Sequence, residues 1–288
     1  MNLDGVLFFP VTPFGPDGDL APGVLADHVR RGIEHRPGGV FAACGTGEFT
    51  ALSQAEHAEV VRVAVKAAAG SVPVFAGAGG PIGAALAQAR AAREAGADGL
   101  LLMPPYLVQG PGFPAYVRAI AAELPVIIYQ RGPIALEPEA AVELAAIPGV
   151  IGLKDGLGDI DRMQRIVLAV RETRQDFLFF NGLPTAELTQ PAYRALGVGL
   201  YSSAVFCFAP EIANAYLNGD ERLITEFYAP LVRLRSRVAG YAVSLVKAGV
   251  RLRGLDAGEV RPPLVPVAPE HEAELEALIT SGLALVAS

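Results

Sequence analysis

Lysine is scarce in this chain. Of its 288 residues, 23 are lysine or arginine, and only three of these, Lys66, Lys154 and Lys247, are lysine. Genome composition that favours arginine codons accounts for most of this. Arginine stays protonated, however, whereas a lysine can be tuned into a nucleophilic amine, so each lysine position carries information. Tryptophan is absent, and the two cysteines, Cys44 and Cys207, are too few for a disulfide scaffold and point to a reducing compartment. Charged residues make up 18 % and the net charge is −7, so the basic character of a nucleic-acid binder is missing. No apolar run approaches the roughly 18 residues needed to span a bilayer. The opening Met1-Asn2-Leu3-Asp4-Gly5 does not read as a signal peptide. The expectation is a cytoplasmic protein with neither nucleic acid nor membrane as a partner. A hydrophobic content of 52 % excludes a disordered chain, and the 32 Gly and 23 Pro follow no collagen-like period.

What is present is an alternation. Eight short apolar runs fall at 6–9, 39–43, 72–76, 99–103, 125–129, 150–153, 177–180 and 198–201. Continuous runs of this kind suit parallel strands buried on both faces. Between them lie amphipathic patterns at 22–35, 53–69, 82–95, 112–123, 138–146, 159–174, 185–195 and 210–218. Ser53-Gln54-Ala55-Glu56 is a capping box, Pro138 suits a first helical turn, and Asp159 is placed to cap. Eight β-α units predict an α/β fold, a (β/α)8 TIM barrel over 1–220. A doubly wound open sheet is the alternative, but no Gly-x-Gly-x-x-Gly fingerprint follows the first run. Residues 221–238, 240–252 and 269–286 read as helices, which predicts a C-terminal helical appendage over 221–288.

In such a barrel the chemistry lies at the carboxyl ends of the strands. Lys154 directly follows Val150-Ile151-Gly152-Leu153, and it is the one lysine at a strand end. Burial in apolar surroundings penalises an ammonium, and the resulting free amine attacks carbonyls to form a Schiff base. A lysine salt-bridged to Asp155 is the bland alternative. Tyr129 ends the neighbouring strand, where a phenol can relay protons or simply pack. Gly45-Thr46-Gly47 offers amides and a hydroxyl that suit a carboxylate, or it is a plain turn. Ser202 and Ser203 close the eighth strand. The histidines, His28, His35, His57 and His271, all fall in predicted helices, so no metal site is expected. Cys44 and Cys207 lack a histidine partner, which favours packing over catalysis.

Together, Gly45-Thr46-Gly47-Glu48, Tyr129 and Gly152-Leu153-Lys154-Asp155-Gly156 resemble the dihydrodipicolinate synthase / N-acetylneuraminate lyase superfamily. Val11-Thr12-Pro13-Phe14 and the helical tail extend the likeness over the chain. Asn181-Gly182-Leu183-Pro184-Thr185-Ala186-Glu187 and Tyr201-Ser202-Ser203-Ala204-Val205-Phe206 look most like its 5-dehydro-4-deoxyglucarate dehydratase branch. The resemblance implies Lys154 as the Schiff-base lysine and Tyr129 as the proton relay. It implies Gly45 and Thr46 as binders of a keto acid carboxylate, with Ser203, Gly182 and Tyr106 also lining the substrate. It implies a small keto acid or keto sugar acid substrate, no cofactor, and a homo-oligomer, tetramer or dimer. Departures are visible as well. Position 134, where the synthases carry a carboxylate-binding arginine, holds Ile134, and Tyr106 is followed by Leu107. Gln130 and Cys207 each replace an asparagine usual in the dehydratases, which leaves a retro-aldol lyase or synthase, or a non-catalytic keto-acid-binding paralogue, as alternatives.

Overall fold

The computed structural model describes residues 3–104, 110–184 and 186–287. Its strands are β1 (Leu7–Phe8), β2 (Gly39–Ala42), β3 (Val74–Ala78), β4 (Gly99–Leu102), β5 (Val126–Gln130), β6 (Val150–Asp155), β7 (Leu178–Asn181) and β8 (Leu200–Ser203), in a closed barrel that follows chain order. The alternating helices are α1 (Pro22–Glu34), α2 (Gln54–Ala68), α3 (Ile82–Ala95), α4 (Phe113–Ala121), α5 (Pro138–Ala145), α6 (Ile160–Arg171), α7 (Ala186–Ala195) and α8 (Pro210–Leu217). Helices α9 (Ala229–Arg235), α10 (Tyr241–Leu252) and α11 (Pro269–Ala287) follow. This is the (β/α)8 barrel with C-terminal helices that the alternation predicts. Among the described residues, no helix is long and apolar enough to cross a membrane.

Local chemistry sets the element ends. Ser53 and Glu56 form the capping box of α2 reciprocally, at 3.3 and 2.8 Å, and Asp159 accepts from the Arg162 amide at 3.0 Å to open α6. Strand β1 is shorter than its apolar run, because Gly5 turns at φ +109° before it and Pro10, which has no amide hydrogen, follows. The helix expected over 221–238 is present as helical chain over 222–235, in which a π-helical stretch, Ile224–Tyr228, leads into α9. Pro230 there lacks the N–H that would close a regular i→i−4 turn. His35 sits one residue beyond α1 rather than inside a helix.

By contact the chain forms two compact units, Met1–Val74 with Ser203–Ser288, and Phe75–Ser202. In the first unit β1 pairs with β2, Leu7 opposite Gly39. Phe8 is fully buried there, with the Phe206 ring 5.3 Å away and the His28 imidazole edge-on at 5.2 Å. Gly32 completes this packing, since a Cβ on Gly32 would land on the Phe8 ring. In the second unit a continuous parallel ladder runs from β3 to β7, and it sets Tyr129 opposite Lys154 and Lys154 opposite Phe180.

Two outcomes follow from the Phe8 cluster. Gly32→Ala adds a helix-favouring residue, yet the clash with Phe8 dominates, and the variant loses about 1–3 kcal/mol in urea unfolding. His28 has its pKa lowered from 6.5 to about 3, by burial first and by the Arg31 charge second. The unfolded chain therefore binds a proton at this site between those values that the folded chain does not, and stability falls as pH drops through that window. Lowering the pH from 7 to 5 costs about 2 kcal/mol from this one group, and His28→Leu flattens that part of the pH dependence of the urea midpoint.

Candidate active site

Lys154 lies on β6 with only 6 % of its surface exposed. Its Nζ sits over the Tyr129 ring, 4.6 Å from the centroid. The Tyr129 hydroxyl donates to the Gly182 carbonyl at 2.8 Å and accepts from the Arg131 guanidinium at 3.2 Å. Gly182, just past β7, donates its amide to the Asp155 carbonyl at 2.6 Å. A Cβ at Gly182 would lie 2.5 Å from Lys154 Cε and 2.6 Å from Lys154 Cγ, so the bare Cα is what lets the lysine stem pass. Gly156 makes the equivalent room for Tyr129, whose Cε2 would be 2.8 Å from an added Cβ. The ends of β5, β6 and β7 thus bring Lys154, Tyr129 and Gly182 into one contact set.

Asp155 faces the other way, as alternation along a strand requires. Its carboxylate accepts from Gln130 Nε2 at 2.8 Å, from the Leu157 amide at 3.1 Å and the Gly158 amide at 3.3 Å, and from the Tyr193 hydroxyl. Burial, then this bond to Asp155, pushes the Tyr193 phenol well above its ordinary value. The carboxylate is therefore engaged behind the strand by four donors. Gln130 is buried in the same layer and its Oε1 accepts from the Leu136 amide at 3.3 Å. The Gln130 amide thus braces the chain after β5. Asn181 likewise points into this layer, donating to Gln190 Oε1 at 3.0 Å and to Thr189 Oγ1 at 2.9 Å.

Gly45, Thr46 and Ser203 belong to the first unit, where Ser203 is fully buried at the end of β8. The amides of Gly45, Thr46 and Gly47 donate to no partner among the described residues. Unpaired main-chain donors in a turn are a ready site for an anion. Tyr106 lies outside the described residues. Cys207 is buried with its Sγ 3.0 Å from the Phe9 carbonyl, and burial pushes its thiol well above the ordinary value, so it is a packed and unreactive group. Among the described residues no group of three or more His, Cys, Asp or Glu is placed to hold a metal.

Sequence reading passed over Gly156, Tyr193 and the orientation of Asp155. The strand period of two, counted from Lys154, signals that Asp155 and Gln130 face outward. Tyr193 carries no sequence signal, because α7 reaches Asp155 only through tertiary packing.

The model of the dihydrodipicolinate synthetase family matches residues 2–282. A Streptomyces coelicolor protein named "Probable 5-dehydro-4-deoxyglucarate dehydratase 1" is 58 % identical, over 98 % of this chain and 94 % of that one. A Streptomyces avermitilis protein of the same name is 57 % identical with the same coverage. The crystal structure of dihydrodipicolinate synthase from Bacillus clausii superposes with a TM-score of 0.86 at 26 % identity, over 97 % of both chains. The fold, the ordered strand-end motifs and these matches agree, and the chain belongs to the dihydrodipicolinate synthetase family.

Proposed function

We propose that the protein is a Schiff-base lyase that dehydrates and decarboxylates 5-dehydro-4-deoxyglucarate to 2,5-dioxopentanoate, CO2 and water. The observation that carries the reading is the buried Lys154 amine over the Tyr129 ring at the end of β6, in a chain 58 % identical to a relative bearing the dehydratase name. The amides of the Gly45-Thr46-Gly47 turn, without a partner among the described residues, support a role for Gly45 and Thr46 in holding the carboxylate beside the ketone. Ser203 is assigned the distal hydroxyl or carboxylate of the substrate, Tyr106 is kept as a substrate-binding residue on the resemblance alone, and Gly182 lines the substrate beside Lys154.

The chemistry balances without an added reagent. Lys154 attacks the ketone, and loss of water gives the iminium. The iminium acidifies the adjacent methylene, and Tyr129 is placed to move protons to and from the forming groups. Removal of a methylene proton gives an enamine, which expels the β-hydroxyl as water and leaves a conjugated unsaturated iminium. The bond to the far carboxylate then breaks. Its electron pair shifts through the conjugated system onto the imine nitrogen as CO2 leaves. Reprotonation and hydrolysis return the amine and release the keto-aldehyde acid. The iminium is the electron sink for both cleavages, so the scheme draws on no metal or organic cofactor. The resemblance further supports a homo-oligomer, tetramer or dimer, of barrels, each divided into a barrel over 1–220 and a helical region over 221–288. The two free cysteines support a cytoplasmic setting.

Product analysis tests the reading. Incubation with 5-dehydro-4-deoxyglucarate releases CO2 and 2,5-dioxopentanoate in equal amounts by NMR. Release of pyruvate instead makes the protein a retro-aldol lyase, and no turnover of any keto acid makes it a binding paralogue. Gly182→Ala drives a methyl group into the Lys154 stem and misplaces the amine, so kcat falls by about 100-fold or more while the far-ultraviolet circular dichroism is retained. Tyr129→Phe removes the relay and lowers kcat by roughly 100- to 10,000-fold.

A further inference from the structure

The Gly45-Thr46-Gly47 turn has costly flanks. Ala43 at φ 51° and Glu48 at φ 57° bracket it, both in the left-handed region that disfavours any residue with a Cβ. Such strain persists only where the surroundings over-determine it. Glycine would relieve it at position 48, so a glutamate there signals that the side chain is used.

The Glu48 side chain is completely buried, and its Oε1 lies 2.7 Å from Nζ of Lys247, equally buried on α10. Its Oε2 accepts the Arg261 amide at 2.8 Å. Lys247 also donates to the Glu259 carbonyl at 2.9 Å and lies 4.1 Å from the centroid of the Phe14 ring. The Arg261 guanidinium stacks on that same ring at 4.0 Å, donates to the Ala51 carbonyl at 2.9 Å, and pairs with Glu56 on α2. The Thr12 hydroxyl donates to the Gly47 carbonyl at 2.7 Å. The turn is thus clamped by segments some 200 residues away along the chain, 199 for Lys247 and 213 for Arg261. A buried ion pair is weak evidence for stability as such, and its best-attested use is to specify one arrangement.

We propose that Glu48 and Lys247 are positioning residues. Their ion pair ties the Gly45-Thr46-Gly47 turn to α10, so that the C-terminal helices set the protein's affinity for the carboxylate of its keto acid substrate. This inference rests on the reading that Gly45 and Thr46 bind that carboxylate.

Two variants test it. Lys247→Met leaves a buried carboxylate unpaired, so the Glu48→Gln/Lys247→Met double variant, which removes both charges at nearly constant volume, accompanies it. Hydrogen exchange of the 43–49 backbone reads the clamp whether or not the protein turns over. KM and kcat for 5-dehydro-4-deoxyglucarate read its consequence. The expected result in the double variant is exchange at least tenfold faster over 43–49, a KM raised tenfold or more, and a kcat within threefold of the parent. Unchanged exchange overturns the clamp. Faster exchange with KM within twofold of the parent overturns its link to the carboxylate. Absence of turnover in the parent overturns the functional reading and the carboxylate link together, while the exchange arm still decides whether the pair holds the turn.

Discussion

One missing atom governs the candidate active site. Gly182 has no Cβ, and the Lys154 stem occupies the space where one would be. Because that stem lies flat against the end of β7, its amine arrives over the Tyr129 ring, and because Gly182 is bare, its carbonyl stays within reach of the Tyr129 hydroxyl. Three adjacent strand ends are therefore interlocked through contacts that tolerate no added methyl group. The layer behind them, with Asp155 bound by Gln130, Tyr193 and two turn amides, holds the end of β6 from the opposite face. Lys154 is thus fixed by packing on one side of its strand and by hydrogen bonds on the other.

The proposed chemistry places a dianionic substrate on a protein of net charge −7. Overall charge does not decide recognition, because screening limits it to roughly 8 Å at physiological ionic strength. Local donors decide it. On the proposed reading the anion meets main-chain amides of the Gly45-Thr46-Gly47 turn, and the iminium supplies the positive charge only once the substrate is bound. Arg131, against the Tyr129 hydroxyl, adds a fixed cation beside the proposed proton relay. The lysine economy of the sequence acquires a second meaning. Besides Lys154, the other buried lysine, Lys247, is paired at 2.7 Å with the glutamate that closes the turn. One lysine is assigned to chemistry and one to holding the site's backbone.

Barrel order was legible because a parallel strand buried on both faces needs a continuous apolar run, and eight such runs alternate with amphipathic patterns. Lys154 was legible through rarity and its place at a strand end. Other features were not legible, for identifiable reasons. Gly182 reads in sequence as a turn residue, and its steric role depends on a lysine that reaches it from the neighbouring strand. Gln130 and Cys207 look like substitutions at the mouth, but their side chains turn to Asp155 and to the Phe9 carbonyl. Lys247 carries a faint signal, a lone charge in Leu245-Val246-Lys247-Ala248-Gly249-Val250, yet its partner lies 199 residues away and no local pattern reveals it.

The central claim is that the Lys154 amine forms an imine with a keto acid. The direct measurement is borohydride reduction in the presence of 5-dehydro-4-deoxyglucarate or pyruvate, followed by intact mass and peptide mapping. The account predicts one covalent adduct per chain, on the peptide that contains Lys154, and none in Lys154→Ala. Absence of an adduct in the parent protein, or equal labelling of Lys154→Ala, would contradict it.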